Sequence, residues 1–210
     1  MSKLPSLLFS FLVLFGAAAQ AATADDLIRP IQDRWAEIKY RTPAKQQAEL
    51  YNELSEKIRQ ISAANPNFPP ALIWEGIVVS SEAGARGGLG GLSLAKDAKK
   101  VLEESLKLDE KALSGSAYTS LGALYAKVPG WPIGFGDKKK AEEYFKKALA
   151  INPTGIDPNF FYGEYLIDRD RVAEGRQYLE AALKAPPRPG RELADSGRRQ
   201  EIQALLAKLN

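Results

Sequence analysis

Apolar residues recur every three or four positions along most of this chain, the spacing of helices that bury one face. Residues 25–40 put Leu27, Ile28, Ile31, Trp35 and Ile38 on one side, and residues 43–64 do the same with Leu50, Leu54, Ile58 and Ile61. A denser stripe follows, with Leu72, Ile73, Trp74, Gly76, Ile77 and Val79, and then one of Ala98, Leu102, Ser105 and Leu106. Proline marks the joints. Thr42-Pro43 and Asp157-Pro158 read as an N-cap followed by proline at the first helical position. Pro69-Pro70 opens a further pair, and Asn65-Pro66 and Asn152-Pro153 close helices. The predicted order is helix pairs at about 25–66, 69–110, 115–153 and 156–187. A last helix follows at about 195–209, capped by Asp195 or Ser196 and carrying Ile202, Leu205, Leu206 and Leu209 on one face.

The stretch Tyr118–Pro153 shows how the pairs are built. Tyr118, Leu121-Gly122 and Tyr125 occupy its first half, and Ala141, Phe145, Ala148 and Pro153 its second. Antiparallel helices approach closely only where some contact positions are small. Gly122, Ala141 and Ala148 supply that room, and Leu121, Tyr125 and Phe145 fill the space around them. The spacing resembles the tetratricopeptide (TPR) repeat, W-x2-L-G-x2-Y, then A-x3-F, then P. Tyr118 stands in place of the Trp, and an insertion around Val128-Pro129-Gly130-Trp131-Pro132 separates the two helices. Ile156–Pro187 repeats the pattern without an insertion, through Gly163, Gly175, Leu179, Ala182 and Pro187. The resemblance implies an all-α fold, a right-handed α-solenoid of antiparallel helix pairs with a C-terminal capping helix.

The first residues read as a leader. Lys3 precedes an apolar run from Leu7 to Phe15, and Ala19-Gln20-Ala21 has the small-x-small form of a cleavage site. Residues 1–21 are thus expected to be a signal peptide, and 22–210 a single helical-repeat domain in the periplasm, with no membrane span after cleavage.

Composition narrows the chemistry. The chain has neither His nor Cys. Cysteine nucleophiles, Ser/His systems and the usual zinc sites are excluded. The formal net charge of +3 is too small to argue for nucleic acid or for an anionic membrane surface. No cofactor, metal or catalytic residue is expected. The glycine-rich run Gly84–Ser93 lacks the order of a phosphate-binding loop and is expected to be a flexible loop between helices. Lys138, Lys139 and Lys140, interrupted by Glu142 and Glu143, read as a solvated helix face.

Two features remain as candidates for binding. The loop VPGWPIGFG carries Trp131 and Phe135 in a Pro/Gly frame, either presented to a partner or, for Trp131, folded back over its own repeat. Arg188 and Arg191, with Arg198 and Arg199, either clamp an acidic partner or pair with Glu192, Asp195 and Glu201 to fix the tail. The TPR resemblance adds a concave groove lined by the first helix of each pair. Its positions here are Ile73, Ile77 and Ser80; Thr119, Ala123 and Lys127; and Phe160, Glu164 and Asp168. That lining suits an extended peptide or a helix. The resemblance thus implies a non-catalytic adaptor for a protein or peptide partner in the cell envelope. The inserted loop before a Gly-Asp-x-x-x-Ala helix also resembles the periplasmic TPR component of TRAP-type solute transporters. That likeness implies a small-molecule ligand held in an apolar cavity between helices.

Overall fold

The structure, a computed structural model, describes residues 24–209. The leader expected over residues 1–21 lies outside that range. The described residues form four antiparallel helix pairs and a ninth helix. The pairs are α1 (Ala24–Arg41) with α2 (Ala44–Ala64), and α3 (Pro69–Arg86) with α4 (Gly88–Leu108). Then come α5 (Ser116–Lys127) with α6 (Lys138–Ile151), α7 (Ile156–Ile167) with α8 (Val172–Leu183), and finally α9 (Glu192–Ala207). A single 3-10 turn, Ala112–Gly115, leads into α5. The architecture is an all-α solenoid.

One small residue sets the spacing within three successive pairs. Gly76 faces Leu102, Gly122 faces Phe145 and Gly163 faces Leu179. A Cβ on Gly122 would sit 2.7 Å from the Phe145 ring, and one on Gly163 would sit 3.0 Å from Leu179. The large residue of each second helix therefore lies against bare backbone of the first. Phe145, Leu102 and Leu179 are fully buried there. This contact brings the helices close enough to form a continuous core, which runs from Ile73 through Leu121 and Phe145 to Leu166. A second cluster joins α1, α2 and α3 around Trp35 and Trp74, and a third joins α7, α8 and α9 around Phe160 and Ile202.

The glycine-rich run is not a loop. α3 continues to Arg86 and α4 starts at Gly88, so only Gly87 and Gly88, at φ of 65° and 57°, make the turn. The low helix propensity of glycine is overridden here by packing. The backbone of α4 comes so near α3 that a Cβ on Gly91 would lie 2.5 Å from the carbonyl oxygen of Ala83.

The helix starts also differ in detail. Pro43, not Thr42, flanks α2, and Thr42 Oγ1 donates back to the Glu37 carbonyl at 3.3 Å. α7 starts at Ile156, and the Asp157 carboxylate, free of capping, turns to two arginines. α9 starts at Glu192, before Asp195 and Ser196. The Asp195 carboxylate accepts instead from the backbone N–H and side chain of Arg188. In both helices an ion pair with a guanidinium replaces the cap.

Candidate functional site

The first helices of the pairs, α1, α3, α5 and α7, form one face of the solenoid, and α9 lies on that face. It packs on α7 and α8 as a terminal cap does, and it reaches α1 as well. Ala194 enters the cluster of Ile28, Ile31 and Trp74. The Arg191 guanidinium sits 4.9 Å above the Trp74 ring of α3, and that of Arg198 sits 4.3 Å above Phe160 of α7. Gly197 lets the Tyr40 ring approach, and Tyr40 Oη donates to Glu201 at 3.2 Å. The C-terminal helix therefore bridges the first and last pairs across the groove side.

Charges fasten it. Asp157 receives Arg188 Nη1 at 2.7 Å and Arg198 Nε at 2.9 Å, and Arg198 also reaches Glu201 at 2.7 Å. Burial pushes the Asp157 carboxyl up, but the charges of Arg198 and Arg188 outweigh it and bring it down to about 2. Burial and the neighbouring Arg188 charge pull Arg191 down to about 10. Arg188 is thus committed to holding the tail, through Asp195 as expected and through Asp157, which sequence reading had placed in a cap. Arg191 is held against Trp74.

What remains of the groove lies between α3, α5 and α7. Lys127 crosses from α5 to α7, 3.3 Å from Glu164 and 3.0 Å from Asp168. Burial pulls the Lys127 ammonium down, and the two carboxylates outweigh it and raise it. The structure thus joins three of the groove residues in one exposed network. Ile77 and Ala123 are half-buried beside it, and Ser80 Oγ is buried without a hydrogen-bond partner in the described structure. Ile73 and Thr119 are buried beneath this strip, and Phe160 is covered by Arg198, so these three offer a partner almost no surface.

The insertion between α5 and α6 is a folded turn. Gly136 N donates to Pro129 O at 2.9 Å, Gly134 N to Gly130 O at 3.1 Å and Asp137 N to Tyr125 O at 3.0 Å. The Asp137 carboxylate caps α6 by accepting from the backbone N–H groups of Lys139 and Lys140. The peptide between Trp131 and Pro132 is cis. The two aromatics part company. Phe135 packs edge-on to Tyr125 at 5.3 Å, whereas Trp131 projects with 90% of its surface exposed. Trp131 does not fold back over its own repeat. Sequence reading missed two neighbours of the same character, Ile133 at 64% and Leu89 at 84%. The signal was an apolar residue set between glycines or prolines, as in Gly-Leu-Gly and Pro-Ile-Gly.

Two concavities differ from the cavity that a small solute would need. One, of about 720 Å³, is open and lies beside the strap of residues 187–189, lined by Arg188, Glu192, Asp195, Arg199 and Gln203 among others. The other, between α5 and α7, holds only about 10 Å³. Binding pockets for small ligands run to hundreds of cubic ångströms and are largely apolar, so the first concavity has the size but is open and lined mainly by charged and polar side chains, and the second is too small.

These features define a TPR-type solenoid. Residues 133–154 match the tetratricopeptide repeat family model. Nine solved chains match the fold. One is a thermophilic TPR protein of Thermus thermophilus, with 16% identity over 79% of each chain and a TM-score of 0.59, which is a likeness of fold. No curated protein sequence matches the chain.

Proposed function

We propose that this protein is a non-catalytic scaffold that holds a helical or extended segment of a protein partner on the groove side of its solenoid. The observation that carries the reading is α9. The chain's own helix lies on the first helices of its pairs, through Ala194, Arg191 and Arg198, as a bound helix would. The strip that α9 leaves uncovered, with Ile77, Ser80, Ala123, Lys127, Glu164 and Asp168, is the place for the partner. Scaffolding without catalysis is the general role of TPR folds, and the absence of His and Cys from the sequence agrees with it. The leader read from the sequence of residues 1–21 supports a cell-envelope setting for that work.

Site-specific photo-crosslinking in the native cell tests this. A crosslinker at Ala123 is expected to trap one partner, and Lys127→Glu is expected to abolish the product. An equal yield from Lys100, on the opposite face, or a Lys127→Glu chain that crosslinks unchanged would remove the groove from the proposal.

A further inference from the structure

The turns inside the four pairs lie along one edge of the solenoid. α1, α3, α5 and α7 end there, and α2, α4, α6 and α8 begin there. Contacts run along this edge from pair to pair, from Arg86 to Asn52 at 3.0 Å and from Arg171 to Glu142 at 3.1 Å. Between the second and third pairs, Leu92 abuts Gly134, where a Cβ would lie 3.2 Å from Leu92 Cδ1. Leu89 is one turn before Leu92 on α4, so it stands beside the Trp131 turn. The three most exposed large apolar side chains of the described residues, Trp131, Leu89 and Ile133, therefore project from one place.

Their form is that of a wedge. Each side chain stands out singly from a turn or a helix start, with no groove of its own. The turn beneath Trp131 and Ile133 is fixed by its backbone hydrogen bonds and by Phe135 packed on Tyr125. The core makes no use of Trp131 or Ile133. Rigid, separate apolar tips suit a deformable medium better than a preformed pocket.

The charge around the wedge is positive. Lys138, Lys139 and Lys140 fill the first turn of α6, and none of them pairs with a carboxylate among the described residues. A helix N-terminus is itself positive, so three lysines there oppose the helix dipole. The adjacent carboxylate, Asp137, is occupied as the cap, Lys140 Nζ lies 5.5 Å from the Tyr125 ring, and Glu143 is the exposed acid one turn further along α6. The first turns of α2 and α4 also lack acids, and Lys45 and Lys96 are exposed on those helices. Among the other charges on this edge, Arg86 pairs with Glu82, Lys127 with Glu164 and Asp168, and Arg171 with Glu142 and Glu174, while Arg41, Arg169, Asp170 and Glu143 are exposed. Asp97 is the remaining exposed acid on this part of α4. The small net charge of the whole chain conceals this local excess.

We propose that this edge docks on an anionic lipid bilayer, with Trp131, Ile133 and Leu89 in the interface and the α6 lysines at the phosphates. Tryptophan favours the headgroup level, and basic residues strengthen adhesion to anionic leaflets. Among the described residues no helix is long and apolar enough to cross a membrane, so this attachment is peripheral. Docked in this way, the molecule keeps its groove side available, because the edge and the groove are different surfaces.

Vesicle sedimentation of the chain from Ala22 onward, the form expected after leader cleavage, tests it, using phosphatidylcholine with and without phosphatidylglycerol. Binding is expected to anionic vesicles only, and to weaken with salt. Trp35 and Trp74 are buried, so the blue shift and protection from acrylamide on binding report on Trp131. Trp131→Ser should lower the partition coefficient about tenfold, whereas Trp131→Phe keeps most of it. Each of Lys138→Gln, Lys139→Gln and Lys140→Gln should lower it about fivefold. Absence of binding, or binding that Trp131→Ser leaves unchanged, overturns the proposal. Self-association that disappears in Trp131→Ser, without vesicle binding, assigns the wedge to a second copy and overturns it too.

Discussion

Arg198 of α9 donates from Nε to Asp157 Oδ1 of α7 at 2.9 Å, and this bond fixes the C-terminal helix to the last pair. Arg188 reaches the other oxygen of the same carboxylate at 2.7 Å. Burial opposes the charge on Asp157, and the two guanidinium groups overcome that, so its carboxyl titrates near 2 instead of 3.8.

The sign of the pH dependence follows from that shift. The folded state binds the Asp157 proton more weakly than the unfolded state does. The stability from this group is fully present above about pH 4 and is lost as pH falls toward about 2. Asp157→Asn should remove this part of the acid transition. It should also cost about 2–3 kcal/mol at neutral pH, because Arg198 stays buried with only Glu201 as its counter-charge. That lies below the usual range for breaking a buried pair, since the Asp157 side chain keeps 31% of its surface. Urea unfolding between neutral and acid pH measures both effects. A variant with the same acid transition as the parent would assign it to other carboxylates.

Gly122 and Phe145 set the spacing of the third pair. Gly122→Ala puts a Cβ 2.7 Å from the Phe145 ring and should cost about 1–3 kcal/mol through forced repacking. Phe145→Leu makes room for that methyl group. The double variant should therefore be more stable than the sum of the single losses predicts, by about 1 kcal/mol. Strict additivity in the double-mutant cycle would mean that the spacing is set elsewhere.

The repeat was legible because each pair needs the same small-to-large contact, and spacing alone exposes Gly122 with Phe145 and Gly163 with Leu179. The ends of α2 and α6 were legible because proline cannot continue a helix. Glycine misled at Gly87–Gly91, where close approach of α4 to Ala83 of α3 overrides propensity. Asp157 and Asp195 misled for another reason. A carboxylate at a helix start serves equally as a cap or as an ion-pair partner, and only the fold brings Arg188 and Arg198 to them. The repeat register put Lys127, Glu164 and Asp168 on one face, and the structure joins them as ion pairs. Their partial replacement by α9 was hidden, because nothing in the tail's own periodicity tells whether it caps the last pair or also crosses to the first.

The tryptophans should divide sharply. Trp35 is buried, donates from Nε1 to Ser81 Oγ at 2.9 Å and packs against Trp74. Trp35→Ala should cost about 3–5 kcal/mol. Trp131→Ala removes a side chain that is 90% exposed and should change stability by less than about 0.5 kcal/mol. Thermal unfolding of the two variants decides this, and a large loss in Trp131→Ala would mean that the turn depends on its tip.

α9 should open before the four pairs do. The pairs are joined by large, fully buried apolar side chains, whereas α9 meets α1 through one small buried residue, Ala194, with Tyr40 packed on Gly197, the Lys39–Glu201 ion pair at 3.0 Å and Arg29 on the Gly190 carbonyl at 2.6 Å. Exposed pairs of this kind are weakened by salt. Hydrogen exchange of the α9 amides should therefore quicken as salt is raised, while the amides of α5 and α6 hold their protection. Gly197→Val should have the same effect at low salt, because its side chain displaces the Tyr40 ring without entering the core of any pair. Loss of protection throughout the chain in Gly197→Val would show that α9 and the pairs unfold as one unit, and that the groove cannot be uncovered by moving this helix alone.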